Sequence, residues 1–383
     1  MILKRYLTVP VLVLMIVAPA GTWGATELEH PYIHNTPRAL GMGGADVAVG
    51  GHAGALFSNP AGLLGVRVGW HVRPLVASLG STERMYGFAR DLEERLDIDD
   101  SDEQRQALTE LLADYRGDNL HGQGTVAPVL VWRGEIRQRA VVLGISWLGS
   151  VRFDARPRQG FGDDGVLSVD GRTLSGPVLS VGVEEGAWRL GFAVKDLTRN
   201  RLARDYSVRD LVEITSDDDR DFSDDFNKGR DWGIDVGLQY RFLERLAWEP
   251  RVGLVLSNIA GLNFGDAGRI PQTLDVGMAA TPPLEGVATG VTLSVEYADV
   301  LHRIDADNDP WKRSRLGVRW QAWERWGTGL AFSAGLYQRL PTLGVELKLP
   351  LVQLSAATYS EEQGAYAGQD PERRYVIGLD VGF

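Results

Sequence analysis

The sequence predicts an all-β fold: a transmembrane antiparallel β-barrel of about 14 strands, with an N-terminal plug and a small helical insertion. Three observations carry this. The last nine residues alternate strictly, with Tyr375, Ile377, Leu379, Val381 and Phe383 on one face and Val376, Gly378, Asp380 and Gly382 on the other. That period of two is a β-strand with one greasy and one wet or crowded face. The same alternation recurs from about residue 126 onward. The gaps between the alternating runs also sort by parity, long ones taking turns with short ones, as in outer-membrane barrels.

The chain opens on a segment that reads as a signal peptide, residues 1–25. Lys4 and Arg5 precede an apolar stretch from Tyr6 to Val17, and Ala18-Pro19-Ala20 fits the small-x-small cleavage rule, with Thr22-Trp23-Gly24 as a second candidate. The stretch is shorter than the ~20 residues of a spanning helix. No apolar run downstream approaches that length. An exported chain of this kind is soluble in the periplasm or crosses a membrane as a closed barrel.

Composition narrows the class. The 383 residues hold no Cys, which excludes disulfides, thiol redox chemistry and Cys-type zinc sites. The formal net charge is −11. Removing the signal takes away Lys4 and Arg5 and makes the balance more acidic, against the basic face that nucleic acid requires. The 46 Gly, 11 Trp and 11 Tyr suit a barrel: Gly at turns and crowded lumen positions, aromatics at the membrane interfaces.

Residues 66–125 read as the first strand or strands plus a helical insertion, and 126–383 as the main wall. Met85, Phe88, Leu92 and Leu96 fall at helical spacing. Ser101-Asp102-Glu103-Gln104 is a capping signal for a second helix through Ala107, Leu108, Leu111, Leu112 and Tyr115, stopped by Gly117. The segment is too acidic for a lipid-binding helix and is expected to pack on protein, against the lumen or the periplasmic rim. In the wall, Trp232 to Phe242, Val291 to Tyr297 and Trp326 to Leu336 alternate apolar with small or charged residues. A wet lumen tolerates such charges and a dry sandwich core does not. The long gaps are read at 360–373, 299–312, 258–270, 196–230 and 158–173. The short ones are read at Pro350, 322–325, 281–288, 243–249, 185–186 and 149–150, with 338–342 and 134–139 as short exceptions on the long side. About fifteen runs can be counted, and an even number is required, so fourteen is the expectation. The weakest run is 66–70, which belongs to a plug or forms half of a unit with 75–80.

Residues 37–64 contain Arg38-Ala39-Leu40-Gly41-Met42-Gly43-Gly44-Ala45 and then Asn59-Pro60-Ala61. This resembles the N-terminal signature of the FadL-type outer-membrane β-barrel superfamily. The helical segment and the ending Ala357 to Phe383 look closest to its TraF-like and PorV-like branch, whose members include secretion- and conjugation-associated barrels. The resemblance implies that residues 26–65 form a hatch inside the barrel, with Arg38, Gly41, Gly43, Gly44, Asn59, Pro60 and Ala61 as its motif residues. It also implies passage of hydrophobic ligands past the hatch and out through a lateral opening. The plainer reading of the same residues is that they only pack the plug, since Gly permits close backbone approach and Asn-Pro makes turns.

Catalytic and metal patterns are missing from the sequence. His30 and His34 are separated by Pro31, no Gly-x-Ser-x-Gly elbow exists, and Gly41-x-Gly43-Gly44 lacks a βαβ context. Asp305-x-Asp307-x-Asp309 starts like a calcium loop but has Pro310 and Leu316 at its decisive positions. This loop and Asp217-Asp218-Asp219 with Asp224-Asp225 read as solvated acid or as weak divalent-cation sites. The chain is therefore expected to be a non-enzyme without metal or cofactor, in the outer membrane of a Gram-negative bacterium. Its expected partners are membrane lipids and lipopolysaccharide, the barrel-assembly machinery through the C-terminal strand, a hydrophobic ligand, and an envelope protein if it acts as a scaffold. As a transporter it should show an apolar pocket beside the hatch and a break in strand pairing, with Pro128 or Pro177 as the candidate kink. As a scaffold it would use 84–116 and 196–230 as contact surfaces.

Overall fold

The computed structural model describes residues 33–98, 100–159, 165–216, 226–243, 246–283, 290–304 and 309–383. The expected signal peptide, His30, and the acidic groups at 217–219, 224–225, 305 and 307 lie outside these residues.

One sheet holds sixteen strand segments. The first two staves are each built of two collinear segments, which leaves fourteen. These are β1 (Gly69–Arg73 with Leu75–Thr82), β2 (Leu120–Val126 with Val129–Ile136), β3 (Arg139–Gln159), β4 (Gly165–Glu185), β5 (Trp188–Ser207), β6 (Asn227–Arg241) and β7 (Arg251–Ser257). They continue as β8 (Thr273–Ala280), β9 (Gly290–Tyr297), β10 (Ser314–Arg325), β11 (Thr328–Tyr337), β12 (Leu340–Lys348), β13 (Val352–Glu362) and β14 (Pro371–Val381). Each pairs antiparallel with the next. The ring closes where Val381 to Arg374 of β14 run against Leu75 to Thr82 of β1. Closure leaves no edge strand, which a lipid-bathed sheet requires.

The alternation read from the sequence is the alternation of the wall. On β3, Leu143, Ile145 and Trp147 are exposed on the outside, while Val142, Ser146 and Leu148 are buried within. On β14, Tyr375 and Ile377 face out and Val376 packs inward, and Phe383 just beyond the strand is exposed. The short-turn end carries exposed Trp70, Trp188, Trp248, Trp320, Trp323 and Trp326, an aromatic belt at one membrane boundary. The stave β1 begins at that same end and Phe383 finishes there, bonded to Val72 in both directions at 2.9 and 3.0 Å.

Four sequence expectations are corrected. Residues 149–150 are not a turn: β3 runs through them, with Gly149 opposite Ser175 and Ser150 opposite Leu174. A Cβ at Gly149 would meet only the Val126 carbonyl oxygen, at 3.7 Å, so the Gly is an ordinary ladder position rather than a bend. The 134–139 gap is then the short-side turn Arg137-Gln138, and the long-side links 338–339 and 160–164 depart from the parity rule. The long gaps 158–173 and 196–230 are mostly strand, because β4 starts at Gly165 and β5 continues to Ser207. Of 196–230, α5 (Val208–Ser216) fills the start of the remaining link.

The fourth correction concerns the insertion. Helices α3 (Glu83–Leu96) and α4 (Ser101–Asp114) form where expected, but the cap of α4 is Asp100, through the amides of Asp102 and Glu103, one residue before the Ser101 signal. They sit on neither the lumen nor the periplasmic rim. Phe88, Leu108, Leu111 and Leu112 bury against Leu120, Ala155, Leu167, Val169, Tyr206 and Leu211. Strand parity puts Leu120, Ala155, Leu167, Val169 and Tyr206 on the outer face of the long-loop end. The helical pad, joined by α5, thus leans on the outside of the tall staves β2 to β5. The link from β1 to β2 falls on the long side by parity, so its helices had to emerge there.

Candidate functional site

Residues 33–65 fold inside the cylinder. Helix α1 (Pro37–Gly41) starts with Pro at its first turn, and the Thr36 hydroxyl accepts from the Ala39 amide. The short α2 (Ala55–Ser58) and the 3-10 turn Pro60–Gly65 follow, the latter capped by Asn59. The hatch and wall meet glycine on glycine. A Cβ on Gly43, whose φ is +65°, would lie 2.3 Å from the Leu316 carbonyl oxygen. A Cβ on Gly335 of the wall would lie 2.7 Å from the Gly43 nitrogen, and one on Gly317 2.4 Å from the Met42 oxygen. A second glycine patch receives the other half of the motif: Gly237 faces the Asn59 amide oxygen, Gly191 the Ala61 nitrogen, and Gly253 the Val47 oxygen. Gly41 sits on Gly344, and Gly44 takes φ +75° beside the Tyr337 ring.

Asn59 is fully buried. Its Nδ2 donates to the Val47 carbonyl at 2.8 Å and lies 3.3 and 3.4 Å from the wall carbonyls of Leu254 and Leu238. Its Oδ1 accepts from the Ala61 amide at 3.1 Å. Asn59→Ala strands these groups and is expected to destabilise the hatch by about 2–3 kcal/mol, more than one average bond. Urea titration in liposomes, followed by hatch proteolysis, measures this.

The hatch is latched on its polar side by Glu296 of β9. One Glu296 oxygen accepts from the amides of Asp46 and Val47, both at 2.9 Å, and the other accepts from Arg315 Nη1 at 2.6 Å. Thr342 donates to the Gly41 carbonyl at 3.0 Å and accepts from the Gly43 amide at 3.1 Å. Within the hatch, Asp46 holds the His52 ring at 2.8 Å and the Ser58 hydroxyl at 2.7 Å. Burial works to raise the Asp46 carboxyl, but His52 and Ser58 outweigh it and hold it at about 2, below the ordinary 3.8. A depressed carboxyl contributes stability that is complete above its unfolded value and lost as pH falls through its folded value. The protection factors of the 46–58 amides, corrected for intrinsic exchange at each pH, are therefore expected to stay constant from pH 7 to 5 and to fall between about pH 4 and 2. Asp46→Asn should remove that acid-dependent change.

On the opposite side the packing is apolar. Leu56, Leu63 and Leu64 of the hatch bury against Val129, Val131, Val142 and Val178 of the wall. Above them Ala127, Leu148, Leu174 and Leu197 form a collar with Phe264 and Ile270, closed by Ile33 and Phe57 of the hatch. The collar borders a chamber of about 90 Å³. Its lining mixes Ile33, Leu40, Leu174 and Ile270 with Gln123, Thr125, Arg152, Arg199 and other polar groups.

The wall is interrupted at the collar. The segments of β1 meet at Pro74 and those of β2 at Ala127-Pro128, and the β1–β2 register slips by one residue between them. Only the Ala127 amide, donating to the Val76 carbonyl at 2.8 Å, bridges that stretch. Continuing the registers places Pro74, Pro128, Trp147 and Pro177 at one level on four successive staves. Pro177 pairs normally with Trp147, yet Gly176-Pro177 makes no ladder pairing with Asp196-Leu197 on the other side. Proline lacks the amide that a ladder needs, so the seam is locally short of donors. Both sequence candidates for a kink thus lie in one row, and Pro74 extends it.

The motif residues Arg38, Gly41, Gly43, Gly44, Asn59, Pro60 and Ala61 all lie in the hatch. Arg38 is set apart from the others by facing Glu346 and Arg319 rather than a glycine patch. Sequence reasoning did not single out the wall partners Glu296, Arg315, Thr342 and the receiving glycines. Their only signal was small or charged residues at lumen parity, shared by many positions.

Together these features define a closed transmembrane β-barrel, internally plugged. No family model matches the sequence, and no curated protein matches it. Solved structures do. The toluene transporter TbuX of Ralstonia pickettii is similar over 92% of this chain and 99% of its own, with a TM-score of 0.55 at 12% identity. The TodX monoaromatic hydrocarbon channel in its deltaS2S3 mutant form is similar over 91% of this chain and 99% of its own, with a TM-score of 0.54 at 9% identity. Its deltaS2 mutant gives 0.53 at 10% identity, over 90% of this chain and 98% of its own. The chain therefore shares the β-barrel fold of these proteins.

Proposed function

We propose that this protein is a passive, hatch-controlled channel in the outer membrane of a Gram-negative bacterium, passing a small hydrophobic molecule with a polar handle. The observation that carries this is the adjacency of chamber, apolar collar and proline row. A ligand in the chamber faces an apolar surface that leads to a break in the strand pairing of the wall, and beyond it to lipid. The fold shared with hydrocarbon channels supports the same reading. The polar share of the chamber lining favours an amphipathic cargo over a plain hydrocarbon. At about 90 Å³ the chamber is smaller than the ~150 Å³ cavity that holds benzene, so the hatch end near Ile33 must shift during passage.

The test is uptake of a labelled alkylphenol into liposomes. Uptake should exceed that of protein-free liposomes, and Pro74→Val with Pro128→Val, which return two amide donors to the seam, should slow it severalfold. Absence of protein-dependent uptake contradicts the channel. The second reading, a scaffold of the TraF-like or PorV-like kind, is favoured by the helical pad on the outer face of the long-loop end. Co-purification of an envelope protein, lost when residues 83–116 are deleted, supports that reading.

A further inference from the structure

We propose that the short-turn mouth of the barrel carries a binding site for an oxyanion, formed by Arg133, Arg189, Arg241 and Arg251 around Glu184. The site is separate from the chamber and does not depend on what the lumen carries. The four arginines come from four staves, β2, β5, β6 and β7. Their spacing follows from register: Arg241 and Arg251 are direct cross-strand partners, as are Glu184 and Arg189. Like charges placed opposite each other destabilise a sheet unless something lies between them.

Glu184 is shared three ways. It accepts from Arg189 Nε at 3.0 Å and from Arg241 Nη2 at 2.8 Å, and it stands 3.6 Å from Arg133. Among the described residues no carboxylate pairs with Arg251; its Nη2 lies 3.4 Å from the Thr281 hydroxyl. Glu249, in the adjoining turn, is the other acid acting on Arg251. Among the described residues, four guanidinium groups therefore face two carboxylates. The Nε atoms of Arg133, Arg241 and Arg251 are buried without a hydrogen-bond partner. Buried guanidinium donors left unmade are costly, and a bidentate oxyanion is the group their fork geometry fits. The Arg241 side chain is 39% exposed, so the site opens to the short-turn side. This excess of positive charge sits in a chain whose net charge is −11.

The ligand chemistry is a phosphate-type oxyanion, free or as the headgroup of an anionic lipid. The experiment is calorimetry on the full protein in neutral detergent, with pyrophosphate in one series and short-chain phosphatidylglycerol in the other. The expected result is saturable binding that weakens at least tenfold in Arg241→Gln/Arg251→Gln and tightens in Glu184→Gln, which releases three guanidiniums from their internal carboxylate. Lys348→Gln, at a rim ion pair with Glu324, should bind as the parent does. Heat-modifiable gel mobility verifies that each variant is folded. Binding of the lipid but not pyrophosphate, with the same variant pattern, supports the site and identifies the headgroup as its source. No heat in either series overturns the proposal. So does equal binding by all variants, the signature of an adventitious ion only.

Discussion

Gly43→Leu is expected to force the hatch off the wall while leaving the barrel closed. Two costs combine. The residue sits at φ +65°, where an L side chain costs roughly 1–2 kcal/mol. Its Cβ would also overlap two carbonyl oxygens, those of Leu316 at 2.3 Å and Leu336 at 2.5 Å. Backbone held in a ladder on both sides cannot yield, so the hatch must. A loss on the order of 4 kcal/mol of hatch binding is expected, the upper range for a single substitution. Gly317→Leu, whose Cβ would lie 2.4 Å from the Met42 oxygen on the wall side of the adjoining contact, should reproduce the effect. Gly290→Leu is the control, because a Cβ there meets nothing within 4 Å. The readouts are single-channel conductance and amide exchange. Both hatch-contact variants should conduct and should lose protection at residues 39–50, whereas the control should do neither.

Glu296→Ala is expected to weaken the same latch by a different route. Glu296 and Arg315 are each 2% exposed as side chains, and they are joined at 2.6 Å. Removing one partner of a buried ion pair costs about 3–5 kcal/mol, because the other charge loses its hydrogen-bonded counter-charge. Here the amides of Asp46 and Val47 lose their acceptor as well. A shift of the urea midpoint and faster proteolysis within 46–58 measure the loss. Adding Arg315→Met should recover part of the stability, since the buried cation that lost its counter-charge is gone, but it should not restore the hatch protection, which needs the carboxylate oxygen. Recovery of both would mean that Glu296 acts on Arg315 alone.

The wall was legible from sequence because lipid imposes one rule on every stave. Ile377 and Leu79 both show it: an apolar side chain at every second place, facing out. The hatch was legible through its motif, and Gly43 and Asn59 do sit at close approaches to the wall. The wall side was not, because Gly335 or Gly237 in a strand gives no hint of what crosses it. Glu296 and Arg315 likewise look like any lumen charge until the fold puts them 2.6 Å apart. Gly149-Ser150 was misread as a turn because a local dipeptide signal competes poorly with a ladder of twenty paired residues along β3 and β4. The position of the helical pad followed from parity, which could be applied only after that turn was removed. The proline row is a lateral alignment of Pro74, Pro128 and Pro177, and lateral order depends on register.

The account stands on ring closure between the last stave and the first. The chain has no native Cys, so Ile377→Cys with Leu79→Cys provides a clean probe of two residues that are direct partners across that closure. Dibromobimane, which fluoresces only when it joins two thiols, should bridge them within a single folded chain in liposomes. Bright intramolecular product is the expected result. Two thiols that remain separately reactive in folded, membrane-inserted protein would mean that the sheet does not close, and the channel reading would fall with it.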